Sequence, residues 1–435
     1  MAERFFVETL GCPKNQVDSD KLVSSLLAAG LEPADALGDA DLVVVNTCAF
    51  IEAARAESIE VILDVTRARR TGSRLVVTGC LAARAGAALA EALPEVDSVA
   101  DVGIPVHLGG ARWRPRSGRC VPAAFLDLAR PRARAPWAYV KIAEGCDRRC
   151  GFCAIPQFRG PQRSRDKEAI LSEIGELGAI EVVLVAQDLA SYGRDLGRQG
   201  GLVDLVGAVA ARGYRVRLLY LYPASLDDHL IDTIVATGIP YFDLSLQHVS
   251  RPLLRRMRRW GSQEAFCRRI DAIRSRAPEA ALRSSFILGY PGETEEDHDA
   301  LLAFLRAAEL DWAGFFTFSE EEGTYAATLD DRVPREVALE RLRESAEVQD
   351  EITARRRRAL VGTAVDVLVD AVGVGRSHRE APEIDGVIHL PAGGEPGTLR
   401  RVRIDAAQGP DLEGSFLDGS APHPGRPMAS AGASR

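Results

Sequence analysis

The sequence is short of several things, and each shortage narrows the reading. Lysine occupies only positions 14, 21, 141 and 167 of 435, so arginine supplies almost all the positive charge. That bias reads as base composition rather than function. No run of about 18 apolar residues occurs, so no membrane span is expected. The start, "MAERFFVETLGC", has no basic segment leading into a long apolar stretch. No secretory signal is expected there, and the default compartment is the cytoplasm. A formal charge of −8 gives no general attraction to nucleic acid. Neither a Gly-rich phosphate loop nor a protease-like His/Cys/Asp set stands out.

What is present is ordinary in bulk and unusual in placement. Hydrophobic content of 46% and charged content of 27% fit a folded chain of two or three domains. Eight cysteines in a reducing compartment point to metal ligands or thiols rather than disulfides. Three of them close a repeated pattern. "RFFVETLGC" reads as a strand ending at Cys12, "DLVVVNTC" as one ending at Cys48, and "SRLVVTGC" as one ending at Cys80. A helical segment follows each, the first with Asp18 or Ser19 as its expected cap. Strand, cysteine, helix, three times, predicts a parallel sheet in an α/β domain over 1–104. Parallel strands present their carboxyl ends on one side, so the three cysteines can meet there.

Residues 105–135, with prolines 105, 115, 122 and 131, read as a linker with a strand near "CVPAAFL". Over 136–358, six candidate strands from "AYVKIAEGC" to "WAGFFTFS" alternate with helices. That alternation predicts a partial βα barrel with functional groups at the C-terminal strand ends. Residues 359–418 read as a small antiparallel β barrel, and 419–435 as a disordered tail.

The strongest chemical signal is "EGCDRRCGFCAIP", which spaces Cys146, Cys150 and Cys153 as C-x3-C-x2-C. Three thiolates on one short loop suit three irons of a four-iron cluster, leaving the fourth open to a small molecule. A structural zinc site wants four ligands, and the next candidates, His107, Cys120 and Cys267, are distant in sequence. A bare redox pair needs no third cysteine. Cys120 and Cys267 read as spectators.

With Phe152 before its last cysteine, this motif at the head of a six-strand βα series resembles the radical S-adenosylmethionine (SAM) enzymes. Three strand-end cysteines ahead of it and a small β barrel behind it resemble the methylthiotransferases, the last module being similar to a TRAM domain. The stretches "TLGCPKNQVDSD", "KIAEGCDRRCGFCAIPQFRG", "AQDLASYGRDLG" and "SLQHVSRPLLRRM" resemble the RimO branch. Where this chain has "AQDL" and "QHVS", the MiaB branch, which modifies isopentenyladenosine in tRNA, tends to carry "GQNV"-like and "QSGS"-like stretches.

The resemblance implies two 4Fe-4S clusters, one on Cys146, Cys150 and Cys153 and an auxiliary one on Cys12, Cys48 and Cys80. It implies that one SAM donates a methyl group to sulfur held at the auxiliary cluster. A second SAM is cleaved to a 5′-deoxyadenosyl radical that takes hydrogen from the β-carbon of an aspartate in small-subunit ribosomal protein S-twelve. The product is 3-methylthioaspartate, and a reductant such as flavodoxin or ferredoxin is implied. Gln187, Asp188, Gln247 and Gly289 are strand-end candidates for SAM contact, although capping or structural hydrogen bonding would equally explain them. Tyr192 and Arg159 are candidates for substrate contact. Residues 361–420 hold five arginines, no lysine and ten acids, a formal 5 − 10 = −5. That suits a basic protein partner better than tRNA. Two other functions stay open at this level: the MiaB-type reaction on tRNA, and a non-enzymatic metal-binding protein using the same cysteines.

Overall fold

The computed structural model describes residues 2–109, 111–118, 120–417 and 423–424. Its N-terminal part is a parallel six-stranded sheet. The order is Glu32–Pro33, Arg4–Thr9, Leu42–Thr47, Arg74–Gly79, Ser98–Ala100 and Trp113–Arg114. Leu42–Thr47 is central and buried on both faces. Val43 and Val45 pack with Ile62, Leu75 and Val77 on one side. Leu42 and Val44 pack with Leu22, Leu26 and Val76 on the other. Burial on both faces is why the segment reads as an unbroken apolar run rather than an alternation.

Three details differ from expectation. The first helix spans Pro13–Ala28 and is capped by Cys12, not by Asp18 or Ser19. Proline suits the first helical position, where its missing N–H would have had no partner. Asp18 and Ser19 therefore lie inside the helix, buried. Within the stretch expected as a linker, Trp113–Arg114 joins the sheet as its last strand. "CVPAAFL" contains a short helix, Ala123–Leu126, rather than a strand. Its alanines favour a helical turn, which buries Phe125 and Leu126 against the sheet.

The central part is a parallel arc of Trp137–Lys141, Glu181–Val185, Arg215–Leu218, Tyr241–Gln247, Ala281–Leu288 and Trp312–Thr317. It consists of two three-stranded sheets joined by a bridge between Leu221 and Leu244. Alternate residues face opposite ways. Val140, Val182 and Leu184 pack under the outer helices, while Tyr139, Val183 and Val185 face inward with Tyr241 and Trp312. Val17 of the first helix and Ala381 of the C-terminal module complete that inner cluster.

The C-terminal module closes as a barrel of Ala364–Ala371, Val374–Arg376, Ile388–His389, Asp411–Phe416 and Thr398–Gln408. All its pairs are antiparallel except Ile388–His389 with Asp411–Phe416. A loop of this barrel is tied to the start of the arc strands. Buried Arg217 donates to Glu181 (3.0 Å) and to the Ser377 and His378 carbonyls. Tyr139 and Trp312 donate to the Pro382 and Arg379 carbonyls. Of the expected disordered tail, only His423–Pro424 lies within the described residues, and it pairs with Thr398–Leu399.

Candidate functional site

Cys12, Cys48 and Cys80 stand at the carboxyl ends of three adjacent strands. Glycine makes that approach possible. A Cβ on Gly11 (φ +92°) would lie 2.8 Å from the Cys48 sulfur, and one on Gly79 (φ +95°) would lie 2.5 Å from the Thr47 backbone nitrogen. Both positions need the left-handed region that glycine occupies freely. Burial pushes the Cys48 thiol up to about 11, and charge on Cys80 and Cys12 adds to the rise. Burial also raises Cys80, against the pull of Arg159. At Cys12 burial is outweighed by Lys14, the N–H groups of Asn15 and Lys14, and Arg159, so its thiol is shifted down. The Cys80 sulfur also lies 3.6 Å from Asn15 Oδ1, on the helix that Cys12 caps.

Cys146, Cys150 and Cys153 occupy the loop after the first arc strand. Burial pushes Cys146 and Cys153 up to about 12, and charge on neighbouring cysteines adds to both. Arg259 donates to the Cys150 sulfur at 3.3 Å, and the Arg148 N–H to the Cys146 sulfur at 3.4 Å. Among the described residues no three His, Cys, Asp or Glu side chains are grouped to hold one metal ion. The thiolates of a four-iron cluster each bind a separate iron and need no common point.

Between the two triads lies a buried charge network. Lys141 donates to Asp18 and, at 2.7 Å, to Glu144. Arg159 donates to Asp18 (3.0 Å), Glu144 (3.3 Å), Asn15 (3.1 Å) and the Cys80 sulfur (3.0 Å). Burial disfavours the charged form of Glu144, but Lys141 and Arg159 outweigh it and hold its carboxyl low. A second tie crosses the same junction, where Arg55 and Arg84 both pair with buried Glu321.

Comparison with known proteins gives this geometry a family. Residues 4–101 match the model described as uncharacterized protein family UPF0004. Residues 140–305 match the radical SAM superfamily, and 361–417 the TRAM domain. A Desulforudis audaxviator protein named ribosomal protein uS12 methylthiotransferase RimO is 43% identical, over 96% of this chain and 97% of its own. Relatives of the same name are 41% identical in Moorella thermoacetica and 40% in Saccharopolyspora erythraea. The first aligns over 92% of this chain and 96% of its own, the second over 94% of each. This chain belongs to the RimO family of radical SAM methylthiotransferases. The fold of its larger part is shared with the radical SAM methyltransferase TsrM of Kitasatospora setae. That likeness has a TM-score of 0.55 at 15% identity, over 82% of this chain and 90% of that one.

For a methylthiotransferase of this family, the surroundings of both triads fit the expected clusters. Each triad offers three thiols, and a guanidinium donates to one sulfur of each. Buried polar atoms at the mouth of the arc lack protein partners: Gln187 Oε1, Asp188 Oδ1 and Arg259 Nε. Asp188 otherwise accepts from Arg148 at 2.6 Å and from Ser191, and Gln187 donates to Glu144 at 2.8 Å. Gln247 ends its strand with φ +72°. Gly289 stands apart from these. A Cβ there would lie 2.5 Å from Ala338 Cβ, so close packing against the Arg335–Arg358 helix accounts for the glycine. Tyr192 is buried and donates to the Arg165 carbonyl, a structural role. Arg159 lies at the junction of the triads.

Several residues at the site were not singled out in the sequence as functional. The Arg148 and Arg259 guanidiniums lie 3.6 and 4.5 Å from the centre of the Tyr222 ring. Asp18, Lys141 and Glu144 join the triads. Lys141 alone carried a compositional signal, being one of four lysines.

No helix among the described residues is long and apolar enough to cross a membrane.

Proposed function

We propose that this chain adds a methylthio group to the β-carbon of one aspartate of ribosomal protein uS12, giving 3-methylthioaspartate. The observation that carries the reading is identity of 39–43% with proteins named for methylthiotransfer to uS12, over nearly the full length of both chains.

In this reading Cys146, Cys150 and Cys153 hold the cluster that engages SAM, and Cys12, Cys48 and Cys80 hold the auxiliary one. When bound, the first supplies the electron that cleaves SAM to a 5′-deoxyadenosyl radical, and the second carries the sulfur to be transferred. The chain's own work is placement. Gln187 and Asp188, through the acceptors left free there, and Gln247 at its strand end contact SAM at the mouth. Arg148 holds Asp188 in place. The first helix brings the auxiliary triad over the mouth, so hydrogen removal and sulfur delivery can reach one carbon, a proximity effect.

The exposed face of the TRAM barrel supports a basic protein partner. Arg376 and Glu380 are buried in internal pairs. Asp366, Glu383, Glu395, Asp405 and Glu413 remain exposed against Arg401 and Arg403. That excess of acid favours uS12 over a phosphate backbone. A one-electron donor of flavodoxin or ferredoxin type and a cytoplasmic location complete the proposal, with tRNA excluded as substrate. Mass spectrometry of uS12 from cells with and without the gene tests it. Loss of one sulfur and one CH2 from the aspartate, with tRNA modification unchanged, is expected. Unmodified tRNA beside normal uS12 would sink it.

A further inference from the structure

We propose that Arg159 is a positioning residue for the auxiliary centre: it holds Cys80 over the mouth of the arc and raises that centre's reduction potential. The inference rests on the reading that Cys12, Cys48 and Cys80 hold a four-iron cluster.

The geometry is that of a clamp. The Arg159 side chain is 2% exposed. One end of its fork, Nη2, donates to the Cys80 sulfur at 3.0 Å and to Asn15 Oδ1 at 3.1 Å. The other, Nη1, donates to Asp18 at 3.0 Å and to Glu144 at 3.3 Å. Asp18 and Asn15 belong to the helix that Cys12 caps. Glu144 lies two residues before Cys146 and accepts from Gln187 at the mouth. Arg159 itself ends the Ile155–Arg159 helix that follows the radical SAM cysteines. One guanidinium thus connects a ligand of one centre to the strand end that carries the other. A planar fork can hold four such partners in fixed directions, which a lysine ammonium cannot.

The electrical consequence follows from charge. Reduction adds an electron to an already anionic cluster. A cation 3.0 Å from one of its sulfurs, away from screening water, stabilises the reduced form more than the oxidised one. Net charge and hydrogen bonds to sulfur are among the factors that set such potentials. The cation comes from the central domain and the sulfur from the N-terminal one, so the potential depends on how the two domains dock.

The test is a redox titration, followed by electron paramagnetic resonance, of the anaerobically reconstituted full chain. Iron is counted in parallel. Arg159→Gln should keep about eight irons and lower the auxiliary midpoint. The shift should be about tenfold in the reduced-to-oxidised ratio at fixed potential, or ~59 mV for one electron. The radical SAM cluster should titrate as in the unaltered protein. Arg159→Lys should fall between the two. Glu321→Gln, which removes the other tie across the junction but takes away a negative charge beside Arg84, should not lower the auxiliary midpoint. An unshifted auxiliary midpoint in Arg159→Gln overturns the proposal, as does an equal shift in Glu321→Gln. Should Arg159→Gln hold fewer irons, the auxiliary centres that do assemble are titrated, and an unshifted midpoint in them also overturns it. Only about four irons in the unaltered protein would instead defeat the two-cluster reading on which the proposal rests.

Discussion

Cys146, Cys150 and Cys153 lie within eight consecutive residues, whereas Cys12, Cys48 and Cys80 are separated by 36 and 32 positions. One triad is made by a loop, the other by a sheet. The loop triad keeps its spacing in any chain that forms the loop. The sheet triad exists only when three strands are in register, as the pairings of Leu42–Thr47 with Arg4–Thr9 and Arg74–Gly79 place them. Their surroundings differ in the same sense. The loop triad has a guanidinium, Arg259, from its own domain. The sheet triad takes one, Arg159, from the neighbouring domain. The loop triad is therefore set within one domain, and the sheet triad depends on strand register and on docking between domains.

Removing one ligand from each triad is the largest break. Cys150→Ala should abolish SAM cleavage and methylthio transfer together. Cys48→Ala should abolish transfer while SAM cleavage to 5′-deoxyadenosine continues. Each variant should lose about four irons. Iron analysis beside 5′-deoxyadenosine assays separates them, and unchanged iron in Cys48→Ala would return that cysteine to a packing role.

Next is the seam between the triads. Lys141→Met leaves Asp18 and Glu144 buried with one cation fewer. Breaking a buried pair from one side costs about 3–5 kcal/mol. The unfolding midpoint should drop, and the sheet triad should lose iron before the loop triad does. Equal loss from both would mean that the seam serves the fold as a whole and not the docked centre.

The difference between the triads also explains what could be read in advance. The C-x3-C-x2-C spacing is local, so the loop triad stood out directly, as did the six arc strands with their repeated apolar runs. The sheet triad emerged only because the strand–cysteine pattern recurs three times. The junction was hidden. Asp18 resembles a helix cap by residue type although Pro13 already marks a helix start, and nothing nearby shows that Lys141, over a hundred residues away, is its partner. Lysine scarcity, read as composition, held more than that. Lys14 stacks on Tyr220 beside Cys12, and Lys21 and Lys141 are fully buried in ion pairs. The helix Ala123–Leu126 was missed because a four-residue element carries no periodicity.

A smaller effect, confined to the loop side, is expected at Asp188. Its Oδ1 is buried without a protein partner beside the Arg148 pair. Asp188→Asn should weaken SAM binding by roughly tenfold, the equivalent of one charge-assisted hydrogen bond of about 1.4 kcal/mol. Iron in both centres should stay unchanged. Isothermal titration with SAM on reconstituted protein reads this, and unaltered affinity would remove Asp188 from the SAM site.

Glu293 should touch neither triad and so supplies the control. Burial pushes its carboxyl up to about 7, against Arg341 and the N–H groups of Gly289 and Tyr290, while nearby Asp297 adds to the rise. Arg341 comes from the Arg335–Arg358 helix and also pairs with Glu295, which divides its charge. A carboxyl whose folded value lies above its unfolded one binds its proton more tightly in the native state. Its contribution to stability is therefore complete below about 4.5 and is lost as pH rises through about 7. Glu293→Gln mimics the protonated form. The difference in unfolding midpoint between variant and parent should be small at pH ~5 and should grow in the variant's favour up to pH ~7. A difference that is constant across this window would mean that Glu293 is ionised throughout and held by Arg341. Iron content and both cluster potentials should stay level in either case, because the carboxylate accepts from the Gly289 and Tyr290 N–H groups and contacts neither set of thiolates.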